Sequence, residues 1–251
     1  ARARQMLQGS IDRLVRGPLC PPLDSLNALS RVAQKRMVTF CGPGGVEKRW
    51  AAAGLRDVHH SYYGRLCVLE TTESERIGLK LFLASEARID EHGFLQAPFI
   101  PANGKKEVWL TAGEERENGY ESFMEKAPSH PPAAKRRAST GRSNVPLRRG
   151  ADFLRAKAGK TVFIDAARGQ CLGLSASLVP FVHHDDPNRA MMGAKNLKQA
   201  LSLLHPEPPL VSTGFEQRIA SLDGSGDMQL GANLFVAYLP YHGYNFEDGI
   251  V

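Results

Sequence analysis

A tract rich in proline, serine and basic residues divides this chain into two better-patterned halves. The stretch "SHPPAAKRRASTGRSNVPLRRG", residues 129–150, carries six Lys and Arg and no acid, which equals the whole formal net charge of +6. A segment with so little to bury is typical of a disordered stretch or a surface loop. Two functional interpretations stay open: a solvated linker, or an arm that contacts phosphate groups.

The composition allows one large core or two ordinary ones, since 42% of the 251 residues are hydrophobic. No apolar run is long enough to span a membrane. The opening "ARARQM" does not fit a signal peptide and is compatible with a processing scar or a truncated start. The four cysteines lack paired spacing, which argues against structural zinc and favours a reducing compartment: Cys20, Cys41, Cys67 and Cys171.

The first half contains a segment whose pattern predicts a buried helix. In "TTESERIGLKLFLASEARIDEHG", residues 71–93, Thr and Ser stand near the start with a Glu close behind, and Gly93 stands at the exit. Ile77, Leu81 and Ala84 share one helical face, and the neighbouring Phe82 and Leu83 widen it.

The second half contains a clearer helix start. The stretch at 161–182 has two short apolar runs, which indicate strands or a strand and a short turn. Asp186 then provides a cap, and Pro187 suits the first helical position. Apolar residues recur at intervals of four, three, four and three, which predicts one continuous helix face until the prolines after His205: Ala190, Ala194, Leu197, Leu201 and Leu204.

The start of this helix is a candidate phosphate site. A helix N-terminus presents free amides and positive partial charge, and Arg189 lies within the first turn. The alternative is an ordinary salt bridge between Arg189 and Asp185 or Asp186. The adjacent "HHDD", residues 183–186, offers metal ligands, but consecutive residues in a turn point in different directions. "GPGG" at 42–45 lacks the residues of a phosphate loop and predicts a backbone corner.

The last eighteen residues combine an apolar strand pattern with two carboxylates. Residues 234–239, "LFVAYL", alternate but are apolar on both faces, so the predicted strand belongs inside a barrel or between layers. Glu247 and Asp248 follow among aromatic residues, which predicts a partly buried setting where the pair needs a cation. By residue type they remain candidates for general acid and base, for outer-sphere metal ligands, or for a solvated turn.

Five segments in order resemble the central region of one known family. They are "NALSRVAQKRMVTFCGPGG", "LRDVHHSYYGRLCVLETTESERIGL", "SASLVPFVHHDDPNRAMMGAKNLKQA", "LVSTGFEQR" and "LGANLFVAYLPYHGYNFED". Together they resemble the β (second-largest) subunit of bacterial-type multisubunit RNA polymerase over about residues 24–118, 161–218 and 228–251. The resemblance implies a mixed α/β fold: an irregular, multi-segment piece of a larger subunit that ends in a strand of a double-psi β-barrel. We therefore expect a split or truncated subunit completed by another polypeptide.

The resemblance also implies a division of the chain and roles for matching residues. Residues 1–118 would form the fork-loop and rifamycin-pocket region, 119–160 an acidic then basic flexible insertion, and 161–251 the nucleotide-site helix and the start of the barrel. The implied nucleic-acid path comprises Asp24, Asn27, Ser30, Lys35, Arg36, Gly44, Gly45, Arg56, His59, Arg65 and Glu73. The implied nucleotide site comprises Asp186, Asn188 and Arg189, and the implied catalytic residues are Arg189, Glu247 and Asp248.

The implied activity is nucleotidyl transfer by a DNA-directed RNA polymerase, exerted only within a multisubunit complex. Mg²⁺ would be held mainly by the largest subunit, with no direct ligand here and Asp248 as an outer-sphere neighbour. The implied partners are the remaining β polypeptide, the largest (β′) subunit, α subunits, sigma factor, template DNA, nascent RNA and nucleoside triphosphates, with no membrane. The location would be the bacterial cytoplasm (nucleoid) or, alternatively, the plastid stroma. The other function left open is a non-catalytic nucleic-acid-binding or assembly module derived from this subunit.

The sequence departs from the family pattern in four places. The family's T-P-E-G-P-N is here Thr71 to Arg76, "TTESER", and Lys195 stands where an Asn is expected. The segment between "LVSTGFEQR" and "LGANL" is cut to about ten residues. In the rifamycin-pocket segment, the family pattern T-H-K-R-R-x-S-A-L is here residues 33–41, "AQKRMVTFC".

Overall fold

The computed structural model describes residues 2–17, 20–101, 106–117, 121–123, 145–156, 162–224 and 228–251. The α-helices in this part of the chain are α1 (Arg2–Val15), α2 (Ala28–Lys35), α3 (Ala53–Arg56), α4 (Ala112–Glu117), α5 (Leu174–Ser177), α6 (Pro187–Gln199) and α7 (Glu216–Asp223). Short 3-10 turns occupy Lys48–Trp50, His60–Tyr62, Val182–His184 and Phe246–Asp248. None of the described helices has the length and apolar character needed to cross a membrane.

The strands form two sheets, so the structure is mixed α/β as predicted. The strands are β1 (Met37–Thr39), β2 (Leu66–Thr71), β3 (Lys80–Leu83), β4 (Arg88–Ile89), β5 (Leu95–Pro101), β6 (Val108–Thr111), β7 (Glu121–Phe123), β8 (Val145–Arg149), β9 (Asp152–Ala156) and β10 (Val162–Asp165). The first sheet is antiparallel with the order β1-β3-β2. The second has the order β4-β5-β10-β7-β8-β9, with β6 also paired to β5. Its β7–β10 pair is parallel, and its other pairs are antiparallel.

The buried apolar side chains form separate clusters because the chain crosses between helical and sheet layers. One cluster joins α2, α5 and α7 through Leu29, Leu174 and Ile219. A second lies on the small sheet around Leu66 and Leu83, and a third on β5 and β6. α6 lies beside the first cluster, to which it contributes the partly buried Leu197.

The prediction of a helix over residues 71–93 is wrong, because this stretch forms turns and strands. Gly78 has a φ of +71°, and a Cβ there would lie 2.3 Å from the carbonyl oxygen of Arg56, so only glycine fits this close turn. The hydroxyl of Thr71 accepts the amide of Gly78 and donates to the carbonyl of Lys80. These contacts turn the chain back into β3. The apolar run that suggested a broad helix face is therefore a buried strand.

The tract predicted as a disordered stretch or surface loop is strand at its end. Val145–Arg149 forms β8, which pairs with β7 and β9, and Arg148 is buried. Residues 124–144, which carry the other four basic residues of the tract, lie outside the described residues. The described parts of the predicted flexible insertion, 119–160, are mostly strand. The division of the chain into three regions stays a prediction.

The predicted helix start at Asp186 is confirmed. Asp186 caps α6 by accepting the amide of Asn188, and Pro187 occupies the first turn. The helix ends at Gln199, earlier than the apolar spacing predicted, and Leu201 and Leu204 are exposed. At this end the side chain of Asn27 donates to the carbonyl groups of Leu197 and Ala200, which the helix itself leaves unpaired.

The strand predicted over residues 234–239 does not form. The segment has no ladder partner in the described chain, and its apolar side chains are exposed, with Phe235 and Tyr238 almost fully so. A strand requires a neighbour for its backbone groups. An alternating pattern therefore indicates that a segment can form a strand. Whether the strand forms depends on a neighbouring strand that pairs with its backbone.

Candidate nucleotide and nucleic-acid surface

The start of α6 presents an exposed arginine beside a capped helix start, where Pro187 has no amide proton and the amide of Asn188 is taken by the side chain of Asp186. Asp185, Asp186, Asn188 and Arg189 are all exposed. The guanidinium Nη1 of Arg189 lies 3.6 Å from the sulfur of Met192. Within the described residues Arg189 forms no salt bridge, so the alternative partners Asp185 and Asp186 do not take up its charge. The guanidinium of Arg189 is thus open to an anion from outside the chain.

Two residues of the predicted nucleic-acid path are instead buried at the start of α2. Asn27 and Ser30 are 4% and 3% exposed and form a reciprocal capping box. The Nδ2 of Asn27 also donates to the carbonyl oxygen atoms of Leu197 at 3.0 Å and Ala200 at 2.7 Å. These bonds tie the start of α2 to the end of α6, and they occupy both side chains within the chain itself.

The guanidinium groups of Arg36 and Arg56 also donate hydrogen bonds to backbone carbonyl oxygens. Arg36 donates to Ala84 at 2.5 Å and to Ser85 at 3.2 Å. Burial, with the nearby charge of Arg218, lowers the pKa of Arg36. Arg56 joins the 3-10 turn after the glycine corner to the turn after β2, through the carbonyl groups of Lys48, Glu75 and Ile77.

Arg65 lies in a buried charge network that sequence reasoning missed. Its Nη2 lies 3.0 Å from Oε2 of Glu115, and the second oxygen of Glu115 binds Arg148. The guanidinium of Arg148 also stacks on the ring of Tyr63 at 4.3 Å, and the hydroxyl of Tyr63 donates to Asp165. The members come from distant parts of the chain, so no local spacing signals them.

The other predicted path residues are more accessible. Lys35, His59 and Glu73 are exposed, Asp24 is half-buried, and Glu73 pairs with Lys195. Gly44, with φ +75°, and Gly45 form a tight corner in which Gly45 donates to Gly42 at 2.8 Å. A Cβ at Gly45 would lie 2.3 Å from the carbonyl oxygen of Phe40, so the predicted corner is confirmed.

Glu247 and Asp248 lie in an exposed turn, so the expectation of partial burial is wrong for this chain. Both have positive φ angles, 50° and 65°, in the left-handed region that costs energy for residues other than glycine. The described residues contain no group of three or more potential metal ligands.

Comparison with known families gives two matches in chain order. The family described as "RNA polymerase Rpb2, domain 3" matches residues 22–89. The family described as "RNA polymerase Rpb2, domain 6" matches residues 175–251. The two ranges together span more than half of the chain and include α2, the small sheet and α6. The chain therefore belongs to the family of second-largest, or β, subunits of RNA polymerase.

Individual relatives agree with this assignment. The chain is 41% identical to the DNA-directed RNA polymerase subunit beta of Rhodopirellula baltica, over 82% of this chain and 16% of that subunit. It is 29% identical to the same subunit of Mesostigma viride and of Thermosynechococcus vestitus, over 91% of this chain. The chain thus spans only 16–28% of the length of these relatives. The Mesostigma alignment covers 307 residues, more than the 251 of this chain, so that relative carries residues that are missing here.

Proposed function

We propose that this chain works as part of a β subunit in DNA-directed RNA synthesis and supplies part of the nucleotide site and of the nucleic-acid channel. The observation that carries the proposal is the exposed guanidinium of Arg189 on the first turn of α6, without a carboxylate partner in the described chain. It lies within the range that matches the domain 6 family.

The chemistry of this surface suits a nucleoside triphosphate. The guanidinium of Arg189 offers charge-assisted hydrogen bonds to phosphate oxygens. Asp186 shapes the surface by capping the helix, and Asn188 lies next to the cap. Polymerases of this family generally use Mg²⁺, which the largest subunit would hold, with Asp248 as an outer-sphere neighbour and Glu247 beside it.

The predicted nucleic-acid path divides into contact residues and supporting residues. We assign contact to the exposed Lys35 and His59 and to the glycine corner at Gly44 and Gly45. Another group supports the backbone along the path, because its side-chain bonds are made inside the chain: Asn27, Ser30, Arg36, Arg56 and Arg65. Asp24 supports the chain before α2 by accepting the amide of Leu26.

The proposal includes partner molecules, because the chain spans only a small part of the length of its relatives. They are the rest of the β subunit, the largest subunit, α subunits, sigma factor, DNA and RNA, in the bacterial cytoplasm or in the plastid stroma. Residues 234–239 would become a strand of a double-psi barrel when another part of the β subunit supplies the neighbouring strand. Their exposure in this chain supports that pairing.

The test is nucleotide addition by a polymerase complex reconstituted with this chain. Arg189→Ala should raise KM for the nucleotide about 10-fold or more and leave DNA binding unchanged, because a charged hydrogen bond contributes about 1.5–3 kcal/mol. Arg189→Lys, which keeps the charge without the planar fork, should fall between Arg189→Ala and the parent. A complex that binds DNA but adds no nucleotide would support the alternative, a non-catalytic binding or assembly module.

A further inference from the structure

Much of the packed face of α6 consists of small side chains. Ala190 and Ala194 are 1% and 0% exposed, and a Cβ at Gly193 would lie 3.5 Å from a methyl carbon of Val179. Side-chain ridges that fit into grooves normally fix how one helix is rotated and shifted on its neighbours. The alanine and glycine positions allow close approach but provide only shallow ridges, and Leu197 adds one larger side chain to this packing. The orientation of α6 therefore depends on polar contacts as well.

Two ion pairs on the C-terminal half of α6 provide such contacts. The Nζ of Lys195 lies 2.6 Å from Oε2 of Glu73. The Nζ of Lys198 lies 2.5 Å from Oε1 of Glu70, which is 2% exposed. The same ammonium group stacks on the ring of Phe82 at 3.9 Å. We call the two lysines and two glutamates the α6 clamp.

The spacing of the clamp selects one position of the helix. Its lysines are three residues apart on α6, and its glutamates are three residues apart at the end of β2 and in the following turn. Residues three apart share a helix face, so both pairs form at the same rotation of α6. A slide by one residue would break both pairs and leave the buried carboxylate of Glu70 without its cation, which is costly.

We propose that Lys195 and Lys198 are positioning residues that fix the rotation and register of α6, and so hold the guanidinium-bearing Arg189 in place at the other end of the helix. This inference rests on the proposed nucleotide site. Arg189 lies six residues before Lys195 on one continuous helix. Because a helix is a rigid rod over this length, rotation at the clamp displaces Arg189 as well.

The experiment uses the reconstituted complex with the full chain and measures single-nucleotide addition against nucleotide concentration. Glu73→Gln and Lys195→Met should each raise KM about 3- to 10-fold with a smaller change in kcat, since a slightly misplaced binding group is costly. The exchanged pair Glu73→Lys with Lys195→Glu should restore KM towards the parent value. Exchanged variants that remain as impaired as the single variants would overturn the proposal.

A matched control separates positioning from general loss of stability. Arg31→Met breaks a two-bond salt bridge with Asp223, at 2.7 and 2.6 Å, which joins α2 to α7. It should lower the melting temperature and leave KM unchanged. If Arg31→Met raises KM as much as Lys195→Met does, the clamp effect is only destabilisation and the proposal is wrong.

A second readout does not depend on nucleotide binding. Hydrogen exchange of the amides at residues 189–194 should become faster in Lys195→Met and Lys198→Met than in the parent, and an unchanged pattern would contradict the clamp. Arg189→Ala in the kinetic assay tests the site itself. If it raises KM while the clamp variants do not, the clamp proposal alone fails. If it leaves KM unchanged while the clamp variants speed exchange, the nucleotide site fails and the clamp remains only as a holder of α6.

Discussion

The side-chain nitrogen of Asn27 lies 2.7 Å from the carbonyl oxygen of Ala200, while its side-chain oxygen accepts the amide of Ser30 at 2.8 Å. One buried side chain therefore satisfies backbone groups at the start of α2 and just past the end of α6. These are the groups that a helix cannot satisfy by itself. The two regions that match the domain 3 and domain 6 families are joined at this point.

Removing this side chain should destabilise both helices. We expect Asn27→Ala to lower the free energy of unfolding by about 2–4 kcal/mol, from a lost cap and from unpaired buried carbonyl groups. Asn27→Ser keeps a cap for α2 but cannot reach α6, so it should cost about half as much. Denaturant unfolding at low protein concentration gives the comparison. Equal stability of the Ser variant and the parent would show that the bonds to α6 contribute nothing.

The buried network around Glu115 predicts a larger loss of stability than the one expected for Asn27→Ala. Glu115 is the carboxylate that binds both Arg65 and Arg148, whose side chains are each 3% exposed. Glu115→Gln removes the carboxylate charge that two buried guanidinium groups share, which should cost about 3–5 kcal/mol. Glu117→Gln, on the exposed side of the same helix, is the control and should change stability by less than about 0.5 kcal/mol. Similar unfolding midpoints for the two variants would contradict the network.

Asp165 should give the chain a defined pH dependence. Burial raises the pKa of Asp165 to about 6, although bonding to Tyr63 and the charge of Arg148 oppose the shift. The folded state therefore holds this proton more tightly than the unfolded state, so the contribution of Asp165 to stability falls as pH rises from about 4 to about 6. Asp165→Asn removes the titration and keeps an acceptor for Tyr63. Relative to the parent, the free energy of unfolding of Asp165→Asn should rise by on the order of 2 kcal/mol between pH 4 and pH 7. A difference in unfolding free energy between variant and parent that does not vary with pH would contradict the raised pKa of Asp165.

The elements that could be predicted from the sequence are those whose signals are local. Asp186 and Pro187 mark the start of α6 because capping and proline geometry act within one turn. The cap at the end of α6 could not be predicted, because it comes from Asn27, more than 150 residues away. The strand β3 was mistaken for helix because the close approach of Gly78 to Arg56 is a tertiary contact. The network of Arg65 with Glu115 escaped prediction for the same reason.

The segment at residues 33–41, which resembles the family's rifamycin pocket, predicts that a complex with this chain is intrinsically resistant to rifamycin. Gln34 and Met37 stand where the resembled pattern has His and Arg, and Thr39 replaces its Ser. Gln34 bonds to the backbone of Pro22 and Asp24 inside the chain. Each hydrogen bond lost to a drug costs roughly 1–3 kcal/mol. RNA synthesis by a complex with this chain should therefore continue at nanomolar rifamycin, and restoring the three family residues should restore inhibition. Inhibition of the unaltered complex would refute the prediction.

The exposed segment 234–239 predicts how the chain behaves without its partners. Phe235 and Tyr238 are almost fully exposed, and Leu234 and Val236 are 80% and 69% exposed. Contiguous exposed apolar surface with unpaired backbone promotes association between copies. The chain alone should therefore form concentration-dependent aggregates, measurable by sedimentation. Phe235→Ser with Tyr238→Ser should suppress them without changing the melting temperature, because neither side chain is packed.

The control is Phe94→Ser, which removes another exposed aromatic side chain, 62% exposed, at the turn between β4 and β5. It should leave aggregation unchanged, since the effect belongs to the 234–239 segment. In the reconstituted complex the expectation reverses: Phe235→Ser with Tyr238→Ser should weaken assembly, because these side chains would then be buried against the neighbouring strand of the β subunit. A variant that stays monomeric alone and assembles as well as the parent would show that this segment does not form the predicted barrel strand.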